Sequence, residues 1–376
     1  MNSEKQGLFQ PFTFKNGITV KNRVAMAPMT TWASNHDYTV SDDEVTHYGA
    51  RVSGPGLVIT GCTRVTANGI GFTNEFASYS DAFLPSLKKL AEATKQGGAP
   101  AILQIYHAGN KAIPELIAGG DLVSASAVSV GKTPFGDSNV IPRSLKHEEI
   151  LDVIADFGAA TRRAIEAGFD GVELHGAHGF LLQNFFSPIY NHRNDQWGGS
   201  AEKRMMFPLE VVNEVRKIID EYADRPFLLG YRISPEEPQG ESYKLTDIYP
   251  LIDRLIESKI DYLHASLTNV IESRPIGEDK GKTIAKPIVE HVNKRIPVIA
   301  AGQVKTPEQA ERAIKIGLSM IAIGQALIIN PNWISTAQNG GKVEESLSIS
   351  RLPELSVPEK LWNVIDSAKG WFSITD

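Results

Sequence analysis

The fold is decided most clearly by residues 297–324, which have the sequence PVIAAGQVKTPEQAERAIKIGLSMIAIG. Two short apolar runs, Val298–Gly302 and Met320–Gly324, are typical of buried parallel strands. Between them, Pro307–Ile316 has helical spacing, a hydroxyl-bearing residue before its first proline, and Gly317 after its last turn. This stretch therefore predicts one strand–helix–strand unit.

The same alternation continues toward the N-terminus. Helical spacing is clearest in His147–Ala167, and Ala201–Tyr222 is comparable. Eight strands alternating with helices indicate the α/β class and a (β/α)8 TIM barrel, which commonly needs ~250 residues. The predicted strands are Arg23–Met26, Leu57–Cys62, Ala101–Tyr106, Gly171–Gly176, Phe227–Ser234, Tyr262–Ser266, Val298–Gly302 and Met320–Gly324.

The length of 376 residues leaves room for additions to such a barrel. Ile113–Pro142, rich in Gly, Ser and Pro, predicts a long excursion after the third strand, and the residues after Asn330 predict a C-terminal extension. No linker or low-complexity tract divides the chain. We therefore expect a single domain, 1–376, with the core barrel at about 20–335.

Composition narrows the class of protein. Hydrophobic residues make up 42% of the chain, yet no run of ~18 apolar residues predicts a membrane span, and no signal-like segment is evident. We expect a cytoplasmic protein. The net charge of -6 argues against a nucleic-acid partner. A lone cysteine, Cys62, excludes an intramolecular disulfide and a four-cysteine metal or iron–sulfur site supplied by this chain.

Chemistry in a (β/α)8 barrel gathers where the strands end, because eight strand ends converge on one mouth. The predicted strand ends carry amides, imidazoles, a guanidinium and glycines but no carboxylate cluster, which suits a planar, electron-accepting heterocycle with a phosphate. These residues are Met29, Thr30, Gly61, Cys62, Gln104, His107, His175, His178, Arg232, Gly302, Gly324 and Gln325.

Five segments around these positions resemble the successive signatures of the old yellow enzyme family, of the bacterial two-histidine type. They are NRVAMAPMT at 22–30, QIYHAG at 104–109, HGAHGF at 175–180, SPIYNHR at 187–193 and WGGSAEKR at 197–204. Each segment is weak alone, but together they are specific. The resemblance implies a (β/α)8 barrel, tightly bound non-covalent FMN, and reduction of α,β-unsaturated carbonyls, quinones or related electrophiles by NADH or NADPH. The implied partner is a small-molecule electrophile, with no nucleic acid or membrane; homo-oligomerisation is left open.

The resemblance also implies roles in cofactor binding. The Thr30 hydroxyl should face the O4 edge of the flavin, Gln104 should meet its pyrimidine edge, and Arg232 should place positive charge near N1 and O2. Backbone N–H groups at Gly302 and Gly324 should hold the phosphate. The expected cofactor-binding residues are Ala27, Pro28, Met29, Thr30, Cys62, Gln104, Arg232, Gly302, Gly324 and Gln325.

The two histidines, His175 and His178, should grip the substrate carbonyl oxygen above the flavin and stabilise the enolate charge. Without an evident third ligand they make a poor zinc site, so no metal is expected. Trp32, Tyr106 and Phe180 should line the substrate pocket.

Two positions depart from the family pattern. Phe180 stands where a tyrosine usually protonates the substrate, so either solvent or another hydroxyl must do so, and Tyr106 is our candidate. Gln325 stands where an arginine usually pairs with the FMN phosphate, and Lys305 could substitute for it. Cys62 aligns with a small residue at the flavin edge and is expected to contribute its backbone.

Three alternatives remain at this point. Flavin barrels with an added iron–sulfur domain are opposed by the missing cysteines, and a dihydrouridine synthase is opposed by the acidic balance. A flavin-binding barrel with weak or lost catalysis stays open, because Phe180 and Gln325 remove two expected functional groups.

Overall fold

The computed structural model describes residues 7–133, 136–238, 240, 242–278 and 280–376. Within them, eight parallel strands form a closed barrel: each pairs with the next in chain order, and the eighth pairs with the first. This confirms the predicted TIM barrel. The strands are β1 (Val24–Met26), β2 (Leu57–Ile59), β3 (Ala101–Tyr106), β4 (Gly171–Gly176), β5 (Leu228–Ile233), β6 (Tyr262–Ser266), β7 (Val298–Ala301) and β8 (Met320–Ile323).

The helices surround this barrel, and their ends follow the expected signals. Thr306 forms a capping box at the start of one helix, and Gly317 ends it with a left-handed φ of 115°. The helices are α1 (Asp42–Gly49), α2 (Leu84–Lys95), α3 (His147–Ala167), α4 (Leu181–Phe186), α5 (Ala201–Tyr222), α6 (Tyr249–Glu257), α7 (Ala285–Val292), α8 (Pro307–Ile316), α9 (Gln325–Ile329), α10 (Trp333–Gln338) and α11 (Glu359–Ser367). In the described ranges, no helix combines the length and apolarity needed to cross a bilayer.

The predicted C-terminal end of one strand, Leu57–Cys62, is wrong. Strand β2 stops at Ile59, and the chain turns into a separate short strand, Thr63–Arg64, beside the end of β3. The turn requires a glycine, because a Cβ on Gly61 would lie 2.6 Å from the carbonyl oxygen of Met29. This close approach places the segment after β2 against the segment after β1.

The N-terminal end of the barrel is filled with apolar side chains. A short antiparallel hairpin, Phe12–Thr13 with Thr19–Val20, covers this end. Phe14 in the hairpin packs on Tyr262 of β6 at a ring distance of 6.0 Å. The barrel is therefore closed at its N-terminal end, and the opposite end is left for a ligand.

The predicted excursion after β3 contains short elements rather than long ones. Val123–Ser124 pairs in parallel with Arg143–Ser144, and Gly131–Thr133 pairs with Gly136–Ser138. Residues 134 and 135 of the predicted excursion lie outside the described residues.

The C-terminal extension packs as a small second core beside the barrel mouth. This core contains α11, a 3-10 segment at Ile349–Glu354, and a parallel strand pair, Leu347–Ser348 with Ile374–Thr375, whereas α10 packs on the main core. Arg51, fully buried after α1, donates to the carbonyl oxygens of Leu355 and Ser356. This contact fixes the extension against the barrel.

Candidate active site

A cavity of about 390 Å³ lies at the carboxyl ends of the barrel strands. This volume is within the range of ~300–1,000 Å³ that is usual for small-molecule sites. Its wall contains every residue predicted to bind cofactor or substrate except Tyr106. The lining residues that the sequence did not indicate are Phe72, Ser266, Leu267, Thr268, Ala301, Gln303, Val304, Ala322 and Trp371.

The two predicted histidines lie at the end of β4 and in the turn after it. His175 is the fifth residue of that strand, and His178 lies in the next turn with a positive φ of 60°, an uncommon conformation for a non-glycine residue. Their ring centroids are 4.9 Å apart. The structure therefore brings the predicted pair together at one side of the cavity.

Both imidazoles are neutral near pH 7. Burial lowers the pKa of His175 well below its usual value, and the nearby His178 ring and the positive charge of Arg232 lower it further. The His178 side chain is exposed to the cavity, but partial loss of hydration beside the strand ends, with the nearby charges of Arg232 and Lys111, also lowers its pKa. Neutral imidazoles each carry a single N–H to donate.

A hydrogen-bonded chain connects His178 to Arg232. The Ser266 hydroxyl at the end of β6 lies 2.6 Å from His178 Nε2, and a terminal nitrogen of Arg232 donates to the same oxygen over 3.1 Å. The strand register brings Arg232 of β5 next to these residues: Arg232 pairs with His175 of β4 on one side and with His264 of β6 on the other.

A buried carboxylate, Glu173, lies beneath the predicted flavin-binding residues. Gln104 Nε2 donates to Glu173 Oε1 over 2.7 Å, and His264 Nδ1 lies 2.9 Å from Glu173 Oε2. Burial opposes ionisation of Glu173, but His264, Arg232 and Gln104 outweigh it, and its pKa is lowered. An anion therefore balances the Arg232 guanidinium inside the barrel.

Sequence reasoning missed Glu173 and His264, although a signal was present. Both are charged or polar residues inside otherwise apolar strands, and both are fully buried. Such residues are rarely buried without partners. Glu173 pairs in register with Gln104 of β3, so the two side chains project from the same face of the sheet.

The segment after β1 forms the adjoining wall. Thr30 and Cys62 meet there, with Thr30 Oγ1 3.7 Å from the Cys62 sulfur. Burial raises the pKa of the Cys62 thiol, so the side chain is neutral. Gly324 approaches from β8, where a Cβ would lie 2.7 Å from the sulfur of Met29.

The turns after β7 and β8 form the end of the cavity predicted for the phosphate. A Cβ on Gly302 would lie 2.3 Å from the carbonyl oxygen of Leu267, so only glycine fits there. Lys305 also lines the cavity, and its ammonium donates to the Glu345 carbonyl oxygen over 3.3 Å. Gln325 does not reach back into this turn; its amide donates to the carbonyl oxygen of Trp371 over 2.6 Å.

Aromatic side chains form the wall opposite the strand ends. Trp32 stands edge-on to Phe72 at 5.3 Å and to Trp371 at 5.8 Å. Phe180 lies 4.8 Å from His175 and 6.0 Å from Phe72, again edge-on. The predicted pocket residues Trp32 and Phe180 are thus joined by two aromatics from a loop and the C-terminal extension.

Tyr106 lies behind this wall. Its ring contacts Phe180 at 4.9 Å, while its hydroxyl donates to Glu75 and accepts from the backbone N–H of Gly71. Glu75 is also paired with Arg64 at 3.1 Å. Burial raises the pKa of Glu75 to about 7, against the opposing effects of Arg64 and Tyr106. The Tyr106 hydroxyl therefore belongs to a buried network rather than to the cavity surface.

Comparison with known proteins identifies the family to which this barrel belongs. The model of the NADH:flavin oxidoreductase / NADH oxidase family matches residues 7–344. A probable NADH-dependent flavin oxidoreductase, YqiG, of Bacillus subtilis (strain 168) is 41% identical, with 100% of both chains covered. The NADH:fumarate oxidoreductase of Klebsiella pneumoniae (strain 342) is 37% identical over 96% of this chain but only 39% of its own length. The solved structure of the old yellow enzyme homologue of Zymomonas mobilis has a TM-score of 0.79 and 25% identity, covering 94% of this chain and 99% of that one.

The fold and its mouth define a TIM-barrel flavin oxidoreductase that uses NAD(P)H. The chain belongs to the NADH:flavin oxidoreductase / NADH oxidase family, that of old yellow enzyme. The resemblance to the old yellow enzyme family that the five sequence segments indicate is confirmed at the level of the family.

Proposed function

We propose that the chain binds FMN across the barrel mouth and uses NADH or NADPH to reduce activated C=C bonds or quinones. The observation that supports this most strongly is the convergence of Gln104, Arg232, His175 and His178 on one cavity. We further propose that the barrel at about 20–335, with its C-terminal extension, acts as one FMN-binding unit in the cytoplasm, where reduced nicotinamide nucleotides are available.

The donor set fits FMN. The Nε of Arg232 is buried and has no partner among the described residues, and its terminal nitrogen reaches only a serine hydroxyl. Gln104 donates a side-chain N–H to Glu173, so the side-chain carbonyl oxygen of Gln104 remains available to accept the flavin N3–H. Thr30, with the backbone from Ala27 to Met29 and at Cys62, would line the rest of the ring.

Lys305 supplies a cation at the phosphate end of the cavity. Gly302 and Gly324 allow the backbone to approach a phosphate closely, and Lys305 can supply positive charge there. Gln325 contributes no charge and is engaged with Trp371. We therefore expect Lys305 to fill the electrostatic role that an arginine has elsewhere in the family.

Bound FMN supplies the hydride that NADH or NADPH delivers to it. The residues of the chain bind and polarise the electrophile: two neutral imidazoles donate N–H groups to its carbonyl oxygen, as in the two-histidine type of the family. Arg232 stabilises negative charge on the pyrimidine side. The aromatic wall formed by Trp32, Phe180 and their neighbours excludes water from the reacting carbon.

The proton for the substrate α-carbon has two candidate sources. Phe180 cannot donate one, which leaves solvent or Tyr106. A donor role for Tyr106 stays a prediction, and it requires release from the bond to Glu75. In Tyr106→Phe we expect slower enone reduction with unchanged flavin reduction by NAD(P)H. Stopped-flow rates of the two half-reactions check this; equal loss in both, or in neither, removes Tyr106 from that role.

The hydrogen-bond donors of the site and one relative support the proposed substrate class. The Klebsiella pneumoniae relative is named for fumarate, whose C=C bond is conjugated to carboxyl groups. Quinones need no stereospecific protonation at carbon, so the absence of a hydroxyl at Phe180 favours them as acceptors.

The test is an absorption spectrum of the purified protein, followed by anaerobic titration with NADH and with NADPH. We expect a yellow flavin spectrum that bleaches, and then turnover with cyclohexenone or a quinone. A colourless protein that takes up no added FMN would end the proposal. A flavin spectrum without turnover would favour the alternative, a flavin-binding barrel with weak or lost ene-reductase activity.

A further inference from the structure

Ser266 ends strand β6 and lies between two residues that serve different parts of the site. We propose that Ser266 is a positioning residue: its hydroxyl holds the proton of His178 on Nδ1 and connects that ring to Arg232. This inference rests on the proposed function, because it concerns how His178 meets a carbonyl ligand.

The direction of the two hydrogen bonds follows from their chemistry. The Arg232 guanidinium can only donate, so the Ser266 oxygen accepts from it over 3.1 Å. The serine has one proton, and His178 Nε2 lies 2.6 Å from the same oxygen. Among the residues that the structure describes, no other group accepts from Ser266. The serine oxygen has two lone pairs and could accept from a protonated Nε2 as well, but its own proton would then have no acceptor among these residues. The arrangement that uses every donor is the one in which the hydroxyl donates to an unprotonated Nε2.

A neutral imidazole that accepts at Nε2 carries its proton at Nδ1. The charge on Arg232 strengthens this arrangement, because a hydroxyl that accepts from a cation becomes a better donor. The hydrogen bond from Ser266 thus determines which ring nitrogen of His178 carries the proton and can donate to a ligand.

His175 has the opposite tautomer for a different reason. The backbone N–H of Ala177 donates to His175 Nδ1 over 3.3 Å, so the proton of that ring lies on Nε2. The two imidazoles then offer one N–H each, from different ring nitrogens. A carbonyl oxygen can accept both at once, and loss of either tautomer would replace a donor with a lone pair.

The tautomer can be measured directly. Protein containing 15N-labelled histidine is examined with FMN bound by two-bond 1H–15N correlation, and the His178 signals are assigned by their loss in His178→Gln. We expect wild-type His178 to show a protonated Nδ1 and an unprotonated Nε2. A protonated Nε2 in the wild type overturns the proposal, and this result needs no variant to fold.

Three variants then separate the hydroxyl from general structure. Ser266→Ala should shift His178 toward protonated Nε2 and weaken the binding of cyclohexanone, a carbonyl ligand that cannot be reduced at C=C, by about tenfold. Ser266→Thr should keep the wild-type values. Ser234→Ala is the matched control, because Ser234 accepts from the backbone N–H of His178 over 3.0 Å and does not touch its ring.

Unchanged His178 signals in Ser266→Ala, or equal shifts in Ser234→Ala, would refute the role of Ser266. Failure of the proposed function looks different: the wild-type protein would bind no FMN, while the histidine signals of the flavin-free protein would still report the tautomer.

Discussion

The two sides of the barrel mouth are built in different ways. One side consists of strand ends, and its polar residues Gln104, His175 and Arg232 are held by parallel pairing and by the buried anion Glu173. The other side consists of loop and C-terminal aromatics, of which Trp371 comes from the very end of the chain. The strand side is fixed by the barrel itself, whereas the aromatic side can vary without disturbing the strands. We therefore expect cofactor chemistry on the first side and substrate choice on the second.

The largest effect should come from the strand side, at Arg232. Arg232→Ala removes the fixed charge that we propose for the pyrimidine end of the flavin, and we expect a loss of about 100-fold in the rate of flavin reduction by NADH. Stopped-flow bleaching of the flavin measures it. Arg216→Ala is the control, since Arg216 pairs with Asp261 outside the cavity. Equal rates in the two variants would show that Arg232 does not serve the flavin.

The buried anion beneath the flavin should have the next largest effect. In Glu173→Gln the negative charge near the pyrimidine ring is lost, so charge on the reduced flavin is better tolerated. We expect the two-electron midpoint potential to rise by about 30 mV, which corresponds to about 1.4 kcal/mol. Dye-coupled photoreduction measures this potential.

The matched control is Glu311→Gln. Glu311 is also a buried carboxylate, but it accepts from the backbone N–H of Leu8 near the N-terminus of the chain. The flavin midpoint potential of Glu311→Gln should equal that of the wild type. A fall in the potential of Glu173→Gln would contradict the electrostatic role of the carboxylate.

A change on the aromatic side should alter selectivity and leave the flavin alone. Trp371→Ala enlarges the cavity beside Trp32, and we expect the kcat/KM ratio of a bulky enone to cyclohexenone to rise about fivefold with an unchanged flavin potential. Trp362→Ala is the control, because Trp362 packs in the same C-terminal core and does not line the cavity. If the potential changed with the ratio, the two sides would not be independent.

The same division explains how much the sequence could predict. Strand ends were predictable because parallel strands converge, so residues such as Gln104 and Arg232 could be placed from short apolar runs alone. Trp371 could not, because nothing in a local pattern shows where a C-terminal segment docks, and the contact of Phe72 with Trp32 depends on two loops. The strand of Tyr106 was predicted correctly, but its hydroxyl donates to Glu75, a loop residue whose position no local pattern shows.

The smallest effect should arise where the two sides meet, at Gln325. This residue begins α9 at the phosphate end, yet its amide holds the carbonyl oxygen of Trp371. Gln325→Arg adds a cation at this position, and we expect FMN to bind only about threefold more tightly, because we propose that Lys305 already provides positive charge for the phosphate. Titration of flavin-free protein with FMN measures this.

Gln325→Arg also removes the amide that donates to the C-terminal segment, so the substrate ratio should move in the direction expected for Trp371→Ala, but by less. Gln325→Glu is the informative counterpart, since it loses the same donor and adds a negative charge. Suppose that both variants change the substrate ratio, while FMN binds more tightly to Gln325→Arg and more weakly to Gln325→Glu. Gln325 then contributes separately to substrate choice and to FMN binding. Selectivity that followed FMN affinity would instead mean that the aromatic side takes its shape from the bound phosphate.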